Sequence, residues 1–291
     1  MSKLFREMQS AAKQSAERPT SSVGLSELLE IVDEGKEAAD TAATATLHGC
    51  RTLQLPRLSC PVLMPEEENF NTHAAFEAFR GLRTKLLRAQ STQGIRSVVI
   101  SSSVQGEGKT LSSLNLGLTV SQLDKTRVLL IDGDVRTGGL SILTGATQGP
   151  GLSEVLAGEA SFESALLATN IPNLYIVGAG EAKHAPSDLF AGTKWKDFIG
   201  WCCESFSLVI VDSPPILGLA DFEVISAACD AVLLIVRALK TKREILTHLR
   251  EHLDEKKILG IVLNGQVHHP GNKYGYNYHY YGYSRDSNGK K

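Results

Sequence analysis

Between Ser97 and Asn264 six short aliphatic runs recur with longer segments of helical character between them: SVVIS at 97, VLLI at 128, LYIV at 174, LVIV at 208, AVLLIV at 231 and ILGIVL at 258. Strands that alternate with helices in this way build a mostly parallel sheet, because each parallel crossover is made by a helix. Runs that are apolar throughout fit strands buried on both faces. The expectation is an α/β chain with helices covering both sides of the sheet.

Flanking this core, residues 1–70 are rich in Ser, Thr, Ala and Glu, with one short helical pattern at Leu25 to Val32, and read as a flexible arm. The segment PEEENFNTH at 65–73 closes it, and Asn71 or Thr72 is placed to cap a helix starting near Ala74. On that helix Ala75, Phe79, Leu82 and Leu86 fall on one side, and Glu77, Arg80 and Arg83 on the other. After Asn264 the apolar pattern stops. The expected organisation is therefore an arm over 1–70, a folded domain over 71–266 and a disordered tail over 267–291.

Composition narrows the function classes. A formal net charge of −2 over 291 residues argues against bulk nucleic-acid affinity, which needs a basic surplus to displace counterions. The five cysteines form no C-x-x-C pair, which fits reduced thiols in a cytosolic protein. There is no apolar span of membrane-crossing length, and MSKLFREMQSAAKQS lacks the apolar segment of a secretory signal, so a cytoplasmic location is expected.

The strand SVVIS runs into Ser103-Val104-Gln105-Gly106-Glu107-Gly108-Lys109-Thr110, and a helix carrying Leu111, Leu114 and Leu118 follows. A glycine-rich loop ending G-K-T between strand and helix lets successive backbone N–H groups curl around an anion at a helix N-terminus. Ser103 stands where the first glycine of the usual pattern would be. Gln105 through Leu111 form the expected nucleotide cradle, with Lys109 reaching the β- and γ-phosphates and the Thr110 hydroxyl on Mg²⁺. This is the signature of a P-loop NTPase fold.

Two further strands end in acid, at Asp132-Gly133-Asp134-Val135-Arg136 and at Asp212-Ser213-Pro214-Pro215. Ligands of doubly wound sheets sit at the carboxyl ends of strands, so Asp132, Asp134 and Asp212 should converge on the loop. One such Asp alone is often only a helix cap. Three beside Lys109 favour metal binding and proton transfer.

Six of the seven tyrosines, Tyr274, Tyr276, Tyr278, Tyr280, Tyr281 and Tyr283, crowd into ten residues of the tail. A tyrosine hydroxyl, with pKa about 10, needs a carboxylate to take or orient its proton before it can accept a phosphoryl group. Beside a phosphate loop the cluster reads as a kinase's own substrate. A sticky low-complexity segment and a base-stacking platform are the other readings.

With these residues in view the chain resembles the bacterial tyrosine kinases (BY-kinases) of capsule and exopolysaccharide synthesis. The resemblance is carried by GEGKT at 106–110, VLLIDGDVR at 128–136, LVIVDSPP at 208–215 and the tyrosine cluster. Weaker echoes lie at Glu77, Arg80 and Arg83, in GLSEVLAGEASFESAL at 151–166, in APSDLF at 185–190 and in GIVLNG at 260–265. It implies ATP and Mg²⁺ as cofactors, Lys109 as a phosphate contact, and Thr110, Asp132 and Asp212 on the metal. Asp134 would share the proton-handling work, and Arg136 would support the site. The Glu77, Arg80 and Arg83 array would contact a neighbour in a homo-oligomeric ring, against the plainer reading of an i,i+3 surface pair. The resemblance further implies a stand-alone cytoplasmic form recruited to the membrane by a separate activator of the polysaccharide chain-length regulator type, and a cognate tyrosine phosphatase.

Some positions depart from the family pattern. After Arg136 the usual proline and histidine neighbourhood is replaced by Thr137-Gly138-Gly139-Leu140-Ser141. Asn264 could read an adenine edge or simply form a turn. His248 and His252 have zinc-compatible spacing but no further ligands, so a solvated helix face is expected. Rival functions are a positioning ATPase of the division-site or partition class, whose second loop lysine is replaced here by Val104, and a nucleotide-binding regulator without kinase activity.

Overall fold

The computed structural model describes residues 49–56, 64, 73–181, 183–218 and 220–265. The expectations for Leu25 to Val32, for Asn71 or Thr72 as a cap, and for the tyrosine tail lie outside these residues.

Eight strands form one sheet: β1 (Arg51–Leu53), β2 (Ser97–Ser102), β3 (Val128–Asp132), β4 (Leu166–Thr169), β5 (Leu174–Val177), β6 (Leu208–Asp212), β7 (Ala231–Arg237) and β8 (Ile258–Asn264). Their order across the sheet is β1-β4-β5-β3-β6-β2-β7-β8. Every neighbouring pair is parallel except β4 with β5. All six aliphatic runs are strands, and the mostly parallel sheet expected from them is the one observed.

Side chains alternate across the sheet and feed two cores. Val98, Ile100, Leu130, Leu208 and Ile210 face one layer, where α1 (His73–Gln93), α2 (Lys109–Ser121) and α3 (Gly139–Thr144) pack. Val99, Leu129, Ile131, Val209 and Val211 face the other. That layer holds α4 (Leu152–Ala157), α5 (Pro186–Ala191), α6 (Thr193–Ser205) and α7 (Asp221–Ala227), followed in the chain by α8 (Arg243–His248). Trp195, Phe198 and Phe190 fill it, with Phe190 and Trp195 edge to face at 5.2 Å. Helix α2 is buried almost all round, from Ser112 to Ser121, because α1 lies over it. Such a helix needs no polar face.

Three expectations need correction. Arg51–Leu53, within the segment read as an arm, pair in parallel with β4. The Arg51 guanidinium fastens that strand to the carbonyls of Gln148, Pro150 and Ser164 at 2.7, 3.2 and 3.3 Å. On α1 the buried residue of the first turn is Phe76, and Ala75 is exposed. The larger ring wins the inward position, and Arg80 lies over it at 5.7 Å. Finally, β8 is apolar without being buried on both sides: at the sheet edge Ile261 and Leu263 are 64% and 55% exposed.

Candidate active site

Register brings the chemistry together. β6 lies between β3 and β2, so Asp132 pairs with Asp212 and Asp212 with Ile100, just before the loop that leaves β2. Gly133 makes this close approach possible. Its N–H donates to the Asp212 carbonyl at 2.7 Å, and a Cβ there would stand 2.9 Å from the same oxygen. The D-G-D spacing thus has a steric reason.

The phosphate loop is wound through left-handed backbone at Gly106 (φ +85°) and Gly108 (φ +94°), which side chains resist. Gln105 and Gly106 are exposed at its tip, Leu111 is half-buried, and Lys109 and Thr110 begin α2. Glu107 turns inward and is 2% exposed. Its carboxylate accepts from the Ser103 hydroxyl at 2.6 Å, from Val104 N–H at 3.1 Å, from Arg237 N–H at 3.5 Å and from the Thr241 hydroxyl. Burial opposes its charge, but these hydrogen bonds outweigh it and hold its pKa below the usual value. Its side chain therefore anchors the loop and leaves only backbone for a ligand.

Lys109 reaches back into the acids. Its Nζ is 3.2 Å from Asp134 Oδ2, 3.4 Å from Thr110 Oγ1 and 3.9 Å from Asp212 Oδ2. Asp132 and Asp212 are wholly buried and Asp134 nearly so. Burial pushes the Asp212 carboxyl up to about 7; Lys109 opposes the shift, the Asp132 charge adds to it, and hydrogen bonds from Thr110 and Ser113 again oppose it. Asp132 is also raised by burial, against hydrogen bonds from the Ser141 hydroxyl and N–H. A carboxyl titrating near neutrality can accept a proton at working pH.

Asp132 Oδ1 and Asp212 Oδ2 are buried with no hydrogen-bond partner. Free carboxylate oxygens beside the Thr110 hydroxyl are the hard donors that Mg²⁺ prefers. Among the described residues no group of three or more His, Cys, Asp or Glu side chains forms a metal cage. The donor set therefore fits a cation that takes its remaining ligands from phosphate and water, the usual habit of Mg²⁺.

Other expected residues lie further out. Arg136 bonds Asp221 at 2.7 Å, tying the acid-rich turn to α7. Asn264 donates its side-chain amide to the Glu107 carbonyl at 2.8 Å, against Gly108, and so braces the loop. Glu77 and Arg80 pair at 2.6 Å across one turn of α1, whereas Arg83 donates to the Thr119 carbonyl of α2 at 2.8 Å. His252 lies past the end of α8 and meets Glu223 at 3.0 Å, so the two histidines do not share a helix face.

Ser113, Ser141, Asp221 and Thr241 escaped the sequence reading. Ser113 Oγ stands 3.0 Å from Asp212 Oδ1 and from the Lys109 carbonyl. Its signal was a serine one turn after Lys109, on the same face of the helix. Thr241 gave no such signal, because its contact with Glu107 joins positions 134 residues apart, and Ser141 gave none because it meets Asp132 only across the turn between β3 and α3.

Comparison with protein-family profiles finds no match. Tyrosine-protein kinase YwqD of Bacillus subtilis (strain 168) is 30% identical over 217 residues, covering 74% of this chain and 90% of its own. Tyrosine-protein kinase wzc of Salmonella typhi is 32% identical over 219 residues; the match covers 74% of this chain and spans 30% of that longer relative. Among solved structures, the kinase domain of Escherichia coli tyrosine kinase ETK superposes with a TM-score of 0.63 at 25% identity, over 76% of this chain and 92% of that one. From the match to nearly the whole of YwqD, the chain belongs to the bacterial tyrosine-protein kinase family and is an enzyme of that kind.

Proposed function

We propose that the chain is an autokinase that transfers the γ-phosphoryl group of ATP to Tyr274, Tyr276, Tyr278, Tyr280, Tyr281 and Tyr283 of a neighbouring copy, and so regulates capsule or exopolysaccharide synthesis and export. The observation that carries this reading is the gathering of Lys109 and three buried carboxylates behind the phosphate loop, with two carboxylate oxygens left unbonded. Mg²⁺, held by Thr110, Asp132 and Asp212, would screen the phosphoryl charge when bound.

The protein groups divide the remaining work. Backbone N–H groups from Gln105 to Leu111 cradle the phosphates, and Lys109, held between Asp134 and Asp212, is placed to neutralise the group in transfer. An acid of the Asp132, Asp134 and Asp212 set takes the tyrosine proton. Arg136 holds the turn that carries Asp132 and Asp134 through its bond to Asp221. Asn264 would approach the adenine from the end of β8, beside the loop.

Two features support self-phosphorylation. The last described residues, Asn264 and Gly265, lie against the phosphate loop and Arg237. From Gln266 the tyrosines lie 8 to 17 residues on and, at about 3.3 Å each, reach roughly 25 to 55 Å, enough to enter an adjacent copy. A ring held through Glu77, Arg80 and Arg83, a separate membrane activator of the chain-length regulator type, and a cognate tyrosine phosphatase complete the proposed cycle. These partners, and the link to polysaccharide, follow from the family resemblance. Among the described residues no helix is long and apolar enough to cross a membrane, which fits recruitment to the membrane by a partner.

Mixing tests the trans reaction. An active chain whose six tail tyrosines are changed to Phe is combined with a Lys109→Met chain that keeps them. Phosphotyrosine on the Lys109→Met chain is expected; ATP hydrolysis with no phosphotyrosine on either chain would move the reading to a positioning ATPase or a nucleotide-binding regulator.

A further inference from the structure

Asp132 is held by one residue from another element. Its Oδ2 accepts from Ser141 N–H at 2.7 Å and from the Ser141 hydroxyl at 2.6 Å. The hydroxyl in turn accepts from Ala179 N–H at 2.8 Å. A backbone N–H can only donate, so the Ser141 proton is directed towards Asp132. The hydrogen-bond chain therefore runs one way, from the turn after β5 through Ser141 to the carboxylate. Ser141 is 3% exposed and Asp132 is wholly buried, so water does not compete for these bonds.

Asp132 Oδ2 is thus fully engaged, while Oδ1 has no partner. Turning the carboxylate about its Cβ–Cγ bond would break both Ser141 bonds, so the free oxygen is locked in direction. Its counterpart, Asp212 Oδ2, is likewise unbonded and comes from the register partner on the adjacent strand. Paired residues on neighbouring strands point to the same face. The N–H that holds Asp132 is available because Ser141 sits in the first turn of α3, where backbone donors have no partner within the helix.

We infer that Ser141 is a positioning residue for cation binding: it fixes the Asp132 carboxylate so that one oxygen stays free for the divalent cation that accompanies the nucleotide. The inference rests on the proposed role of Asp132 as a metal ligand. Groups that orient a ligating carboxylate typically contribute 10- to 100-fold to metal affinity or activity. The stretch from Thr137 to Ser141 departs from the family pattern, and the structure assigns its last residue this work.

The test is a double-mutant cycle on the full chain, read by binding. Affinity for a fluorescent ADP analogue is measured with and without Mg²⁺ for the wild type, Ser141→Ala, Asp132→Asn and the double variant. The ratio of the two affinities is the readout, and thermal unfolding of each protein confirms its fold. Ser141→Cys, which keeps the side chain's bulk but replaces the hydroxyl with a weak donor, gives a second route if the alanine variant does not fold.

The expected result is that Ser141→Ala reduces the Mg²⁺-dependent gain in affinity about 10-fold while metal-free affinity holds within about twofold. Adding Ser141→Ala to Asp132→Asn should then change little. Equal losses from Ser141→Ala in both backgrounds, or none in either, would overturn the inference and leave Asp132 as a ligand. If Asp132→Asn itself leaves the Mg²⁺ gain intact, the metal role of Asp132 fails and the inference fails with it.

Discussion

Removing the Glu107 carboxylate should unseat the phosphate loop from within, and the chemistry of the replacement decides how far. Glu107→Ala takes the acceptor from the Ser103 and Thr241 hydroxyls and from the N–H groups of Val104 and Arg237. Hydroxyls can turn to new partners; the Val104 N–H cannot. A buried donor left unpaired costs about 1–3 kcal/mol, so with the small cavity the change should cost about 2–4 kcal/mol. For a domain of this size that lowers the Tm by about 4–16 °C.

Glu107→Gln should behave differently. Its amide oxygen can keep Val104 N–H, and its NH₂ can donate to the Thr241 hydroxyl. Only the long 3.5 Å bond from Arg237 N–H is lost, and that N–H retains the Thr241 oxygen at 3.2 Å. The cost should stay under about 1 kcal/mol. Urea unfolding of both variants, with ATP affinity measured alongside, decides the matter. Equal destabilisation by the two would refute the hydrogen-bond argument and point to the charge itself.

Asp212→Asn should abolish kinase activity and yet stabilise the fold at high pH. The folded-state pKa of about 7 lies above the ordinary 3.8, so the folded chain binds the proton more tightly and stability falls as pH rises through that window. The gain in Tm should be largest above pH 7 and shrink towards pH 5; a gain independent of pH would contradict it. Arg83→Ala should cost about 1 kcal/mol in urea unfolding through its lost bond to Thr119. Arg80→Ala should cost about 1 kcal/mol through its lost contacts with Glu77 and the Phe76 ring while reducing oligomer size in light scattering; unchanged size would remove Arg80 from the proposed interface. Phosphorylation of all six tail tyrosines adds roughly −9 to −12 charges per chain and should dissociate the ring, so an unchanged scattering mass after phosphorylation would sink that cycle.

The sheet was legible because most of its strands are predominantly apolar runs that alternate with helical segments. β1 and β4 were not: β1 has only three residues, and Leu166–Thr169 follows directly on a helical pattern that hides where the strand begins. Apolar character alone also could not separate a central strand from the edge, as Ile261 and Leu263 demonstrate. The convergence of Asp132, Asp134 and Asp212 was legible because strand ends carry it. The partners that hold these acids were not, since single serines such as Ser113 and Ser141 contact them only after the chain has folded. Arg83 illustrates the same gap: its spacing with Glu77 and Arg80 suggests one shared surface, but one arm of its guanidinium donates to the Thr119 carbonyl of α2.

The most direct test of the kinase reading is to incubate the purified chain with ATP and Mg²⁺, with and without a membrane activator, and map phosphotyrosine over residues 270–291 by mass spectrometry beside a Lys109→Met control. Phosphate on the tyrosine cluster that disappears in the control is the predicted result; ATP turnover with an unmodified cluster, with and without activator, would contradict it.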